Sequence, residues 1–291
     1  MKNTFISLLI TLSVMLCSNV VYSEDNVYDS GEVFEKDGNF YDLKTLAPIH
    51  GIVKGYYESG KLFHEFPFIN GKEEGIGKTY YESGVLMYEL PFKNSKADGI
   101  GKKYYESGKL KEEIPFKNGQ IEGIIKGYYE DGKLKEEIPF KNDKSEGIGR
   151  TYDKKGKLRE ENPYKNGKKE GISKSYYESG KLMHELPFIN GMEEGIGKNY
   201  DENGKLNIEI PFKNGEKEGI GKSYYESGKL RNELPFKNGK VEGIGKTYYE
   251  SGRLKQEVLF ENNIGVSGYI YETDGKRTEM TNAHLHEVNK K

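Results

Sequence analysis

The sequence has no tryptophan and one cysteine, Cys17. A lone cysteine excludes an internal disulfide and a cysteine-based metal site. A surplus of one charge is also missing. Lys and Arg number 45 and Asp and Glu 47, so there is no concentrated basic footprint of the kind nucleic-acid binders carry. Electrostatic docking on anionic lipid is disfavoured for the same reason. Hydrophobic residues make up only 34% of the chain, too few for a thick two-layer core. Helical periodicity is absent as well. Present instead are 37 glycines and 23 tyrosines. Disordered chains are poor in aromatics, so these numbers point to a thin, aromatic-rich fold.

The one long apolar run lies at the N-terminus, from Phe5 to Cys17, behind Lys2. It is too short to span a bilayer comfortably. With Val21-Tyr22-Ser23 after it, the segment reads as a secretory signal over 1–23, cleaved before Glu24. A lipoprotein signal at Cys17 is the rival reading, but Leu16 is larger than the small residue such signals place there. The expected mature chain is exported, to the periplasm, cell surface or medium, and contains no cysteine.

The rest is organised by a period of 24 residues. Gly recurs from 51 to 243 and again from 60 to 252. Pro recurs from Pro67 to Pro235, and Leu259 takes the ninth slot. The expected organisation is a capping segment over 24–50, nine units over 51–266, a degenerate half-unit over 267–281 and a loose tail over 282–291. Within 75–98, β-prone runs alternate with turn clusters. Ser83-Gly84 reads as a two-residue hairpin loop, and Asn-Gly pairs such as Asn118-Gly119 mark the link between units.

This register predicts the faces. Tyr81 should oppose Leu86, Thr79 oppose Tyr88, Gly77 oppose Leu90 and Gly75 oppose Phe92, all on one side. Ile76, Lys78, Tyr80, Met87, Glu89 and Pro91 take the other, with Lys78 across from Glu89. The expected fold class is all-β: an elongated single-layer antiparallel sheet of consecutive hairpins. One face is an apolar strip lying over glycines. The other is a Lys–Glu ladder with a Tyr row at Tyr80, Tyr104, Tyr128, Tyr152, Tyr176, Tyr200, Tyr224 and Tyr248.

The motif Tyr-Tyr-Glu-Ser-Gly-Lys-Leu at 56–62, 176–182 and 224–230, followed by Pro-Phe-Lys-Asn-Gly and Glu-Gly, resembles the bacterial MORN-variant repeat, over about 51–275. The resemblance implies an elongated sheet of consecutive hairpins. Many members carry an antitoxin-like label, which implies protein binding rather than catalysis. Related eukaryotic MORN repeats are associated with membrane tethering and scaffolding.

Catalytic and metal chemistry find little support. Gly77-Lys78-Thr79 resembles the tail of a phosphate loop, but Gly71 is one residue too far away and Glu73 and Glu74 would repel phosphate. His64 and His184 occupy the same slot five units apart and cannot share an ion, while His284 and His286 sit in the tail. The recurrent glutamates each face a cation, unlike the two unlike acids of a glycosidase. No enzyme activity, cofactor or metal is expected. The Tyr row admits two readings, packing or a platform for glycan or protein. Asp153 and Asp201, in the second-Tyr slot, and Asn162, in an apolar slot, break the pattern, either by drift or as a polar gap that positions a partner. The leading expectation is an exported, non-enzymatic scaffold for protein contact or self-association; the alternatives are a glycan-binding module on the Tyr row and an antitoxin-like neutralising protein.

Overall fold

The computed structural model describes residues 26–290. The N-terminal apolar run and the expected cleavage point before Glu24 lie outside them. The described chain forms one long open sheet of 29 strands, plus a separate hairpin of Val33–Lys36 with Asn39–Asp42. Strand Val27–Asp29 runs parallel to Gly51–Tyr56, which makes the sheet mixed, and the other pairings are antiparallel.

Each of the first eight units contributes a six-residue strand, an eight-residue strand and a two-residue strand, as in Gly75–Tyr80, Leu86–Lys93 and Lys96–Ala97. The expected pairs Thr79–Tyr88, Gly77–Leu90, Gly75–Phe92 and Lys78–Glu89 all form. The loop that joins them differs from expectation. It has three residues, Glu82-Ser83-Gly84, closed by Tyr81 N–H to Val85 O at 2.8 Å and Gly84 N–H to Tyr81 O at 2.8 Å. Gly84 has φ 86°, the left-handed residue that ends a three-residue hairpin loop. Tyr81 therefore does not oppose Leu86; Tyr80 does. The register slips between Thr79 and Tyr80, leaving Met87 as an extra residue on its strand. This bulge restores the pairing a two-residue loop would have given. The two-residue loop is Asn94-Ser95 instead, with φ 50° and 58° and Lys93 facing Lys96. Positive φ at both positions is the primed turn that Asn-Gly favours.

A second irregularity follows each proline. Phe92 pairs with Ala97, and the next recorded pair from the following unit is Glu89 with Lys102, so that unit carries two extra residues. They are accommodated around Gly99, where φ is 126° and a Cβ would come within 2.7 Å of the Pro91 ring. Pro removes a ladder donor, and glycine supplies the backbone that bends around it. At the ninth slot Leu259 replaces proline, and strand Ile264–Tyr271 pairs along its whole length with only a one-residue slip.

Full burial is found mainly at the ends. Ile49, Val53 and Phe68 form an N-terminal core with Val33 and Phe40 from the capping hairpin. At the C-terminus, Val258 and Met280 are buried. The expectation of a loose tail fails here: Asn282–Asn289 is a helix, capped by Thr281. Asn289 bonds Gly265 through its side chain, accepting at 2.7 Å and donating at 3.2 Å. The helix lies against the last long strand and covers its apolar side.

Candidate functional site: two faces of the repeat sheet

Two neighbouring rows of residues cross the sheet from end to end. The first alternates charge. Lys54, Glu65, Lys78, Glu89, Lys102, Glu113 and Lys126 are successive cross-strand partners, and the alternation continues to Glu257. A cation in this row therefore stands between two carboxylates. Arg150 contacts both Glu137 at 3.6 Å and Glu161 at 3.1 Å.

The Tyr row shares this face, and its hydroxyls are engaged within the array. Tyr80 donates to Glu65 at 2.6 Å and Tyr104 to Glu89 at 2.9 Å, each reaching the preceding unit. Tyr128, Tyr152, Tyr176, Tyr200, Tyr224 and Tyr248 make the same bond at 2.6–2.9 Å. Burial, with the adjacent glutamate, pushes the phenols of Tyr104, Tyr128, Tyr176, Tyr200, Tyr224 and Tyr248 up to about 12. Tyr80 and Tyr152 shift in the same direction for the same reasons. The bond from Tyr176, and then Arg150, holds Glu161 below the usual carboxylate range.

Two further side chains tie each unit to its neighbour. The second tyrosine of the pair donates to a carbonyl of the next unit, as Tyr81 does to Tyr104 O at 2.8 Å. The acidic residue before the unit's first glycine accepts from the next Asn turn, as Glu146 does from Asn166 N–H at 2.7 Å. Where Asp153 replaces tyrosine, Arg159 takes over: its Nη1 reaches Tyr176 O at 3.4 Å while Nη2 pairs with Asp153 at 3.1 Å. Asp201 turns inward on its own loop, accepting from Asn203 N–H and Lys205 N–H. Beside the tyrosines, eight isoleucines from Ile76 to Ile244 are 46–56% exposed.

The opposite face has the glycine floor. A Cβ on Gly77 would lie 2.4 Å from the Phe66 ring, and one on Gly197 would lie 3.0 Å from Leu186 and 3.1 Å from Phe212. On this face runs the second row, one residue along from the charged one. Its partners in order are Gly55, His64, Thr79, Tyr88, Lys103, Glu112, Gly127, Glu136, Thr151 and Glu160. Ser175, His184, Asn199, Ile208, Ser223, Asn232, Thr247 and Gln256 follow. These two slots change from unit to unit, as do the slots of Met87, Lys96 and Ala97, whereas the charged row beside them keeps its alternation. Sequence reasoning missed this row. The signal was present in the differences among copies, whereas attention to the period selects what recurs.

The histidines fall on unrelated sites. His64 packs against Gly55 and Phe66, and burial lowers its pKa. His184 contacts Asn199, and His284 caps the C-terminal helix at Thr281. Among the described residues no group of three His, Cys, Asp or Glu is placed to hold a metal ion.

The sequence matches the family model described as the MORN repeat variant nine times, at 49–70, 73–94, 97–118, 121–142, 145–166, 169–190, 193–214, 217–238 and 241–262. The chain belongs to that repeat family. No curated protein matches it in sequence. Among solved structures it is similar to TcdB2-TccC3-Cdc42, at 12% identity and TM-score 0.19, covering 83% of this chain and 15% of that one. It is also similar to virginiamycin B lyase from Staphylococcus aureus, at 17% identity, TM-score 0.17 and coverage of 78% and 68%. Choline binding protein F from Streptococcus pneumoniae gives 12%, 0.18, 85% and 92%. The chain thus spans only about 15% of the first of these in length.

Proposed function

We propose that this chain is a non-enzymatic binding array that contacts a protein partner along the glycine-floored face. The observation that carries the reading is the contrast between the two rows. The charged face places its hydroxyls and carboxylates in bonds to adjacent units. The other face presents a changing series of His, Thr, Tyr, Lys, Glu, Ser, Asn and Ile on an apolar base. A long apolar strip with varied polar groups along it is the composition of an interaction surface. Residue-specific photo-crosslinkers at Glu112 and Ile208, with controls at Lys102 and Lys198, test this in the producing cell. Capture of one protein species from the first pair alone is the expected result; capture from the second pair alone, or from neither, removes the reading.

The exposed isoleucines beside the Tyr row favour a second reading, in which a partner or a second copy lies on that side. Crosslinking from Ile148 would reveal it. Export is part of the proposal, on the strength of Lys2, the apolar stretch to Cys17 and the small residues before Glu24. An N-terminal sequence beginning at Glu24 on protein from the periplasm or medium is expected; an intact Met1 on a cytoplasmic product refutes it. Either toxin neutralisation, as the antitoxin-like label implies, or surface adhesion would use the same contact.

A further inference from the structure

The glycine-floored face opens into hollows at more than one place, and one of them coincides with breaks in the repeat. A hollow of about 350 Å³ opens across units five to seven, where Asn162, Ser173, Ser175, His184 and Asn199 meet Leu186 and Phe212. Two breaks in the repeat coincide there. The slot of Asn162 carries Phe66, Leu90, Ile114, Ile138, Leu186, Ile210, Leu234 and Val258 in the other units. The slot of Ser173 is glycine in six of the nine units and Val53 or Ile125 in two more. Asn162 and Ser173 are each only 9% exposed.

Burying polar groups in an apolar strip is unfavourable unless a partner meets them. Asn162 donates to Glu160 at 3.2 Å. Ser173 Oγ and Ser175 Oγ, both buried, have no protein hydrogen-bond partner. His184 Nδ1 lies 2.7 Å from Asn199 Oδ1, and donation there leaves Nε2 as an acceptor. The same row behaves differently two units on. There Asn232 donates to Ser223 at 2.8 Å and accepts from Thr247 at 2.9 Å, so the cluster closes on itself.

We propose that this hollow binds a single sugar unit, a neutral ring carrying several hydroxyls. Hydroxyls both donate and accept, which suits a wall of serine hydroxyls, asparagine amides and an imidazole acceptor. The ring's C–H surface suits Leu186 and Phe212. The volume falls in the range of small-ligand pockets. An anion fits poorly, because Glu160 lines the hollow and both lysines of the lining are engaged, Lys169 over the Phe188 ring at 5.0 Å and Lys174 with Glu185 at 3.9 Å. A partner's aromatic side chain brings at most one hydroxyl and leaves most of the polar wall unmet. The hollow shares Ser175, His184 and Asn199 with the second row, so a sugar bound there and the protein contact proposed above would compete for that stretch of the face.

The test is saturation-transfer NMR on the full chain with glucose, galactose and N-acetylglucosamine, each alone, and with the peptide Gly-Tyr-Gly as the side-chain probe. The comparison variant is N162L/S173G, which returns both slots to residues found in other units. Its folding is checked by an unchanged or higher Tm. Saturation transfer to at least one sugar, weakened about tenfold or more in the variant, is expected. No transfer to any of the three sugars, equal transfer with the variant, or variant-sensitive transfer to the peptide alone each overturns the proposal.

Discussion

Lys102 and Lys103 are neighbours in the chain, yet they belong to the two rows and obey different rules. Lys102 stands in a slot that is Lys or Arg in all nine units, facing Glu89 and Glu113. Lys103 stands in a slot that is Gly, Thr, Lys, Ser or Asn, depending on the unit. The backbone treats both alike, so the difference lies in what each side chain touches. A side chain whose partners belong to the next unit is constrained by them, because the same bond recurs at most joints, Asp153 and Asp201 being the breaks. A side chain in the second row meets a locally variable neighbour and is free to diverge, even though the apolar strip beside it is kept. Along these two rows, constancy marks the joints and variation marks the surface available to something else.

The sharpest way to break this comparison is to disturb a joint and a row position in parallel. Gly99→Ala places a side chain at φ 126° and within 2.7 Å of Pro91, and should lose about 2–3 kcal/mol in denaturant unfolding. Thr79→Ala, which removes a buried hydroxyl without a partner, should stay within about 0.5 kcal/mol of the parent. Equal losses would show that the proline–glycine bend and the second row are under the same constraint.

Next in size is the tyrosine–glutamate joint. Tyr104→Phe removes the donor to Glu89 and should lose about 1–2 kcal/mol. In a double-mutant cycle with Glu89→Gln, a coupling near zero would mean that the bond does not join the units.

The same joints set the response to alkali. Six of these phenols are held up to about 12 in the fold, against 10.0 for a free tyrosine. A raised folded value favours the protonated form, so their stabilisation is complete below pH 10 and is lost as pH rises through about 12. Tm should therefore fall across that window, together with a late tyrosinate absorbance. Titration of every tyrosine near pH 10 with Tm unchanged would contradict the joint.

The smallest effect compares two missing tyrosines. Asp201→Tyr should stabilise by about 0.5–1 kcal/mol by supplying the bond to the next unit that its equivalents make. Asp153→Tyr should gain less, because Arg159 already reaches Tyr176 O. A larger gain at 153, read as ΔTm, would show that the arginine is not a substitute.

Much of this architecture was legible in the sequence because each unit obeys local rules nine times over. The two-residue side-chain period placed Lys78 across from Glu89 and Gly77 beneath large side chains. The pairing came out right although the loop was one residue longer, since the bulge at Met87 compensates for it. Bulges leave no strong signature in composition. The signal lay in the spacing between Pro91 and Gly99, intelligible once a ring and a bare backbone are seen to need each other. The C-terminal helix was missed because 282–289 is short and its anchoring contact, Asn289 to Gly265, is 24 residues distant. The Tyr row was recognised as a row, but its hydroxyl partners sit 15 residues back, beyond the reach of a single-hairpin reading. Asn162 stood out as a deviation, but only the sheet brings it beside Ser173 and His184.

The side-chain joints have one more consequence. Since most units hold the next through the same Tyr–Glu, Tyr–carbonyl and Glu–Asn bonds, with Asp153 and Asp201 the exceptions to the second, adding or deleting a regular unit of 24 residues leaves the remaining joints chemically unchanged. Reach then becomes a quantity that a genome can dial in steps of two strands, about 9.6 Å each. The terminal caps, where most of the deep burial among the described residues lies, stay outside that count. Such a chain can be fitted to the distance between its partners by duplication alone, as a ruler is fitted by adding marks.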